Sequence, residues 1–515
     1  MNIDRGASAK INIGGQGFMR RFIIVVLALW AASSGAGQLK IGWAMNDIST
    51  DDPVYLSGTF HARVSKGVRD PLKATALAID NGEDCVVFVS IDLIHTMPWG
   101  VNIARDIVRE TIPDLPPEKI LFNATHTHTG VNEWRGDKVM VGRYRDFLGR
   151  QLAKTVKEAW ESRKPGKIAY GYDLVVTAFN RRIVYFREFK GSVGMNPGGR
   201  AKLHGPTDTP DFSHVEGGGD PFVNYLYTYD MEGNLTGAIM NVPYTAQCSI
   251  KDVYLSSDTW HDVRQLMAKK HPGIFILTQV SAAGEATFEQ PYYKAAEKRR
   301  NRLIFGREPA YPGEFPRKII ADRLMTSFDR ALEWAQKEQF SDLPIKHVTK
   351  TLQLTRHRPT DEQCEEARRG IEEIKKLRAD PKTSERMRSS LNMREGKCRD
   401  ILRMRKNWDK EPTYPMEFHA LRIGDVGFVS EQFELYFEFG QRIVARSPFV
   451  QTFVIQLSAG GGGYLATERA TKNGGYGTGP LIGPVAPKGG QEFVEAAVAA
   501  LDELKSGKAE APTAK

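Results

Sequence analysis

The 515-residue chain is poor in cysteine, in long apolar runs and in excess charge. Its four cysteines (Cys85, Cys248, Cys364 and Cys398) form no CxxC pair, which excludes a disulfide-built scaffold and a cysteine-rich zinc module. The formal net charge is only +9, and no basic motif is interleaved with aromatic residues, so nucleic acid is not an expected partner. With 41% hydrophobic and 26% charged residues, the composition is that of a folded globular protein.

The N-terminus has the pattern of a secretory signal peptide. Arg20 and Arg21 precede an apolar run at 22–32, and small residues follow at 33–37. This run is too short to span a bilayer, which needs about 20 residues; a buried first helix is the alternative. Because Met19 stands just before the arginines, residues 1–37 are predicted as a signal peptide with an upstream extension. The mature protein would then be secreted or periplasmic, where a disulfide between Cys364 and Cys398 becomes possible.

The pattern of apolar residues predicts an α/β fold. A continuous apolar run at 85–93 is typical of a strand buried on both faces, and a helix near 101–111 and a strand at 119–125 follow it. Strand, helix and strand in this order indicate a crossover unit. We therefore predict a mixed β-sheet catalytic domain flanked by helices. Its two parts are residues 38–354 and 411–505, and a disordered tail covers 506–515.

A charged segment separates these two parts. Residues 355–410 are rich in Arg, Glu and Lys, and Asp380-Pro381 interrupts the helical pattern. We predict a helical insertion shaped as an exposed hairpin, with its charges forming a solvated face rather than a binding surface.

The most specific local motif is Ala124-Thr125-His126-Thr127-His128-Thr129-Gly130, directly after a predicted buried strand. Residues i and i+2 of an extended segment point the same way, so both imidazoles would face one site. Imidazole is a good zinc ligand, and the threonines could orient the rings. A hydrogen-bonded structural pair is the alternative reading of the motif.

Together with Val86–Leu93 (VVFVSIDL), this motif resembles the neutral/alkaline non-lysosomal ceramidase family, zinc amidohydrolases that cleave the N-acyl bond of ceramide. The family pattern is THTHSGP. The resemblance implies that His126 binds zinc and that His128 lies beside the reacting carbonyl. The resemblance covers roughly residues 40–345 and 415–490. It does not extend to the family's C-terminal immunoglobulin-like domain.

Further matches imply the remaining site residues. Asn180-Arg181 resembles the family's Asn-Arg pair, which places Arg181 in the active site. Phe433-Glu434 and the segment beginning at Tyr464 resemble the regions that supply a glutamate and a tyrosine ligand to zinc. Tyr476 stands at the spacing of a second tyrosine that contacts the reacting group.

Two departures from the family pattern bear on the chemistry. No histidine occurs at 242–248, where the family has its second histidine ligand, and His261 is the candidate replacement, with Cys248 a weaker one. A structural histidine paired with a nearby aspartate is the alternative for His261. The family's Asp and Ser are replaced by Glu285 and Thr287, so Thr287 is a candidate catalytic hydroxyl, although a zinc-bound water needs none.

The implied function is that of an exported zinc-dependent hydrolase with Zn²⁺ as cofactor. Zinc-bound water would attack the carbonyl of an N-acyl bond, with His128, Arg181 and Tyr476 stabilising the oxyanion. The expected substrate is a small-molecule or lipid N-acyl compound, which allows peripheral contact with a membrane; no protein partner can be inferred. The alternatives are hydrolysis of a non-ceramide amide or ester on the same fold, and a degenerate, non-catalytic binding protein.

Overall fold

The computed structural model describes residues 37–192 and 194–507. The predicted signal peptide and most of the predicted tail lie outside these residues. The strands are, in chain order, β1 Gly37–Gln38, β2 Lys40–Asp47, β3 Lys73–Asp80, β4 Cys85–Ile91, β5 Ile120–Ala124, β6 Lys164–Leu174, β7 Phe179–Asn180, β8 Arg182–Phe189, β9 Gly199–Leu203, β10 Phe212–Val215, β11 Phe222–Asp230, β12 Leu235–Val242, β13 Phe275–Val280, β14 Ala286–Thr287, β15 Asp342–Leu343, β16 Ile345–Thr355, β17 Thr413–Ile423, β18 Val426–Ser430, β19 Glu434–Leu435, β20 Gln451–Ile455 and β21 Tyr464–Leu465.

The helices alternate with these strands along the chain. They are α1 Pro98–Thr111, α2 Lys138–Glu161, α3 Thr259–Lys270, α4 Lys294–Phe305, α5 Glu314–Ala335, α6 Asp361–Ala379, α7 Glu385–Asn407, α8 Phe437–Arg446, α9 Glu468–Asn473 and α10 Pro487–Ser506. Among the described residues, no helix is both long enough and apolar enough to cross a membrane.

The largest sheet has eight strands in the order β13-β12-β11-β6-β2-β3-β4-β5. Its outer pairs, β12 with β13 and β4 with β5, are parallel, and the neighbours between them are antiparallel. The predicted crossover is present as β4-α1-β5, and every residue of β4 is buried, as its unbroken apolar sequence requires. The predicted mixed α/β fold is confirmed.

A second sheet, β16-β17-β18-β20, packs face to face against the first. The apolar layer between them includes Phe88 and Leu277 from the large sheet and Phe428 and Phe453 from the small one. Helices α1, α2, α3 and α5 cover the other face of the large sheet, and α8 and α10 cover that of the small sheet. The core is therefore built of four layers, helix, sheet, sheet and helix.

The charged segment forms the two helices α6 and α7, which share a small apolar core of their own. Thr360 caps α6 through a capping box with Gln363. Cys364 and Cys398 both contribute to this core, and both are buried free thiols rather than a disulfide.

The alternating sequence at 59–64 predicts a strand, but the structure forms a loop there. The reason is Arg63, which points inward although the alternation would leave it on a solvent face. Its guanidinium donates hydrogen bonds to the backbone carbonyls of Ser57, His128 and Asp252. These bonds satisfy the buried cation and tie the loop to the histidine motif.

A buried charge cluster joins α5 to α3 and to the loop before β3. Arg317 is fully buried and donates to Asp70 at 2.9 Å and to Asp262 at 2.8 Å. Removing one partner from a buried ion pair leaves the others as uncompensated charges.

We therefore expect Arg317→Ala to lower the free energy of unfolding by about 3–5 kcal/mol. Arg330 on the same helix is a matched control, because it is 55% exposed and pairs with Asp173 at the surface. Arg330→Ala should cost less than about 1 kcal/mol. Urea denaturation at neutral pH measures both, and equal losses in the two variants would contradict a structural role for the buried cluster.

Candidate functional site

Three pairs of parallel strands end at the same place in the molecule. These pairs are β4 with β5, β12 with β13, and β18 with β20. The segment after β20 joins all three, since Gln456 donates its backbone N–H to the Val280 carbonyl and Leu457 accepts from the Ala124 N–H. In α/β proteins, ligands bind beyond the carboxyl ends of parallel strands.

The two histidines of the motif lie just beyond β5, and their rings meet with centroids 4.9 Å apart. The prediction that both rings face one site because the motif continues the strand is wrong, since β5 ends at Ala124. Instead His126 has a left-handed backbone with φ of 59°, an uncommon conformation for a residue other than glycine. Such residues cluster at functional sites, where the surrounding structure holds them.

The threonines of the motif anchor the loop rather than orient the rings. The hydroxyls of Thr127 and Thr129 both donate to the Ser256 carbonyl. The ring of His126 is oriented by the backbone, because its Nδ1 lies 2.9 Å from the Ile94 carbonyl oxygen. A carbonyl only accepts, so Nδ1 carries the proton, and in the neutral ring Nε2 is left with its lone pair free.

Glu434 and Tyr464 occupy facing positions on β19 and β21, two short parallel strands that continue from the ends of β18 and β20. The Tyr464 hydroxyl is one of the groups that lower the pKa of the Glu434 carboxyl against the effect of burial. The structure therefore brings these two predicted site residues together, although they are thirty positions apart.

The contact between His126 and Glu434 has the spacing of two ligands that share a metal ion. His126 Nε2 lies 3.4 Å from Glu434 Oε2, longer than the 2.7–2.9 Å typical of a charged N–H···O bond. Two ligands of a tetrahedral zinc at about 2.0–2.1 Å lie about 3.3 Å from each other. Burial alone would raise the pKa of Glu434, but His126 lowers it to about 2 and the carboxylate stays ionised. The residues present therefore fit a metal ion.

His95 is a further imidazole of this cluster, and the sequence prediction missed it. It follows β4 by four residues, and its ring centroid is 5.6 Å from that of His126. Its Nδ1 is buried without a hydrogen-bond partner, and burial lowers its pKa to about 4, which keeps the ring neutral. In residues 37–192 and 194–507, no three His, Cys, Asp or Glu side chains already form a metal-holding group, so a ring must adjust to complete the set.

His128, Arg181 and Tyr476 surround the same point from other sides. Both ring nitrogens of His128 are buried without a partner, and burial holds its pKa well below the usual range. Arg181 donates to the Tyr464 hydroxyl at 3.0 Å and to the Gly284 carbonyl at 2.9 Å. The ring of Tyr476 lies 5.5 Å from that of Tyr464. A side chain at Gly58, whose φ is +89°, would overlap the His128 imidazole.

The structure does not bring His261 and Thr287 to this cluster. His261 is in the first turn of α3, where its Nε2 lies 3.5 Å from Asp70 of the buried charge cluster. The Thr287 hydroxyl accepts from the Glu289 N–H and stabilises a turn. Neither residue lines the cavity that His126, His128, Glu434, Tyr464 and Tyr476 line; Arg181 reaches this set through its bond to the Tyr464 hydroxyl.

This cavity has a volume of about 710 Å³, and the insertion forms one of its walls. The face of α7 that lines it is spaced at helical intervals, with Met393, Lys397, Asp400, Met404 and Asn407. The prediction that the charged insertion only presents a solvated face is therefore wrong for this face of α7. The opposite wall includes Phe60, Trp134 and the glycine-rich loop at 461–463.

Comparison with solved structures identifies the architecture. The neutral ceramidase from Pseudomonas aeruginosa superimposes with a TM-score of 0.65 at 14% sequence identity, over 93% of this chain and 76% of that chain. A ceramidase complexed with C2 gives a TM-score of 0.63 at 14% identity, over 93% of this chain and 77% of that one. The protein has a neutral ceramidase-like fold. The resemblance inferred from the histidine motif is thus confirmed for the fold, although no family model and no curated protein matches the sequence.

Glu285 lies next to this cluster, where its backbone carbonyl accepts from the Arg181 N–H. It is 5% exposed, and its carboxylate accepts from the Phe437 N–H at the start of α8. Burial raises its pKa to about 8 from the usual 4.5. The folded chain therefore holds a proton here that the unfolded chain has released, and stability falls as the pH rises from about 4.5 to 8.

We expect Glu285→Gln to remove this pH dependence. The variant should match the parent near pH 5 and exceed its free energy of unfolding at pH 9 by about 2–4 kcal/mol. Urea denaturation at both pH values measures the difference. Glu232→Gln, in the exposed turn between β11 and β12, is the control and should follow the parent. A parallel loss of stability in parent and Glu285→Gln would show that this carboxyl does not titrate in the window.

Proposed function

We propose that the protein is a zinc-dependent hydrolase that cleaves an N-acyl amide bond. The observation that carries the proposal is His126 Nε2 facing the ionised carboxylate of Glu434 at 3.4 Å, with the ring held through Nδ1 by the Ile94 carbonyl and with Tyr464 on the strand beside Glu434. The likeness to two ceramidase structures supports the reaction class. His126, Glu434 and Tyr464 would hold the metal.

His95 is the residue we propose for the remaining nitrogen ligand. It takes the place that the sequence pattern assigned to His261, because its ring lies in the cluster and its buried Nδ1 has no other partner. His261 is already engaged with Asp70. The chemistry that zinc supplies when bound is polarisation of a carbonyl and a fall in the pKa of water to about 7.

The protein's own groups then stabilise the developing oxyanion. His128 remains neutral because of its burial, so one ring nitrogen can donate to the substrate oxygen. Arg181 is fixed by its bonds to Tyr464 and Gly284 and adds a permanent positive charge. The Tyr476 hydroxyl is a third donor. Loss of one such donor typically costs about 3 kcal/mol, or roughly 100-fold in rate.

Export is part of the proposal and rests on the N-terminal sequence alone. A charged, an apolar and a small-residue region follow one another up to Gly37. An exported enzyme would meet its lipid or small-molecule N-acyl substrate outside the cytoplasm, where peripheral contact with a membrane would give access to lipids.

Elemental analysis of the purified protein and its histidine variants tests the metal centre. We expect about one zinc per chain in the wild type and a loss of zinc in His126→Ala and His95→Ala. His261→Ala is the matched control and should keep its zinc, since His261 lies in the buried charge cluster. Zinc retained in His95→Ala and lost in His261→Ala would restore the assignment made from sequence.

Turnover distinguishes a hydrolase from a binding protein on the same fold. A panel of N-acyl lipids and N-acyl sugars, assayed by release of the free amine, should give a substrate whose kcat/KM falls about 100-fold in His128→Ala with the zinc retained. Zinc-loaded protein that cleaves no member of the panel would favour the non-catalytic alternative.

A further inference from the structure

Lys397 stands in the cavity wall without a negative partner. It lies on the cavity face of α7, half-buried, and its Nζ makes one hydrogen bond, to the Leu481 carbonyl at 3.4 Å. Among the residues that the structure describes, no carboxylate lies within ion-pair distance of it. Burial lowers its pKa, and the carboxylates of Asp400 and Glu434 oppose that shift.

Most other charged groups of the cavity have a partner. Asp400 forms an ion pair with Arg403 at 2.8 Å. Glu434 faces His126. The Arg356 guanidinium has no carboxylate partner among the described residues, but it donates to the Thr413 carbonyl and lies 5.1 Å from the centre of the Tyr414 ring. Lys397 is held only by its single long hydrogen bond to a backbone carbonyl, and a partly desolvated charge of this kind favours an anionic ligand.

The position of Lys397 relates it to the reacting centre. Its Nζ lies 5.9 Å from the centre of the Phe60 ring, and Phe60 packs edge-on against Tyr476 at 6.1 Å. Tyr476 in turn packs against Tyr464. Apolar side chains line the cavity around this path, namely Met97, Trp134, Met393, Met404 and Leu481. The cavity therefore combines apolar side chains with the Lys397 cation on the side of Tyr476.

We propose that Lys397 binds a carboxylate of the substrate, and that the enzyme's substrates are N-acyl compounds with an apolar acyl chain and an anionic headgroup, as in N-acyl amino acids. This inference rests on the proposed hydrolase function. It also gives the insertion a role, since α7 brings the cation into the cavity. A hydrogen bond to a charged group is worth about 1.5–3 kcal/mol, which corresponds to a preference of about 10- to 100-fold.

The test uses two matched amides, N-lauroylglycine and N-lauroylethanolamine. They share the acyl chain and the amide, but the first ends in a carboxylate and the second in a neutral hydroxymethyl group. The wild type should cleave the glycine conjugate with a kcat/KM at least about 10-fold higher. Lys397→Met should remove this preference and leave cleavage of the ethanolamine conjugate within about twofold, whereas Lys397→Arg should keep it. Lys406→Met, on an exposed position of the same helix, is the control and should behave as wild type.

A binding measurement separates this inference from the proposed function. Dodecanesulfonylglycine and its hydroxyethyl counterpart contain no cleavable amide, and calorimetry with both compounds measures the headgroup preference directly. Tighter binding of the carboxylate compound by the wild type, lost in Lys397→Met, supports the anion site. If this preference is found but no amide is cleaved, the anion site stands and the hydrolase function is overturned. Equal binding of the two compounds, or a preference that survives in Lys397→Met, would overturn the inference even if amides are cleaved.

Discussion

The site depends on hydrogen bonds between strand ends that belong to different sheets. The segment after β20 leaves the small sheet and bonds to the ends of β13 and β5 of the large sheet. The buried side-chain carbonyl of Gln456 then accepts from the backbone N–H groups of Ala283 and Leu435. These bonds bring three loops to one point. Because they are buried, each unmade bond would cost about 1–3 kcal/mol, so the loops are held in one arrangement.

At that point the chain gathers imidazole nitrogens that have no hydrogen-bond partner beside a carboxylate. His126 presents a lone pair to a carboxylate, and His95 and His128 have buried ring nitrogens without partners. A native structure rarely leaves such groups unsatisfied unless a ligand completes them. The proposed divalent cation between His126 and Glu434 would complete these groups, and Arg181 and Tyr476 would then contact the substrate. The buried groups that lack a partner in this cluster are therefore the same groups that are proposed to carry the chemistry.

Sequence patterns predicted the parts of this arrangement that are local. The buried strand β4 and the crossover to β5 follow from apolar spacing, and the histidine motif comes directly after β5. His95 could have been found from the same crossover, because it follows the neighbouring parallel strand. The docking of α7 on the cavity could not, since its charged residues match an exposed helix equally well and the contact joins distant segments. His261 was chosen as a metal ligand because it follows the family's histidine position in sequence order. In the folded chain it lies in the buried charge cluster beside Asp70 instead.

Helix α7 forms one wall of the cavity, and the proposed metal centre defines where the proposed chemistry would occur. The most direct test of the account is a crystal structure of the zinc-loaded protein with anomalous data collected at the zinc absorption edge. The account predicts one strong peak at about 2.0–2.2 Å from His126 Nε2, Glu434 and Tyr464. A peak beside His261 and Asp70, or no peak at a position that His126 can reach, would contradict it.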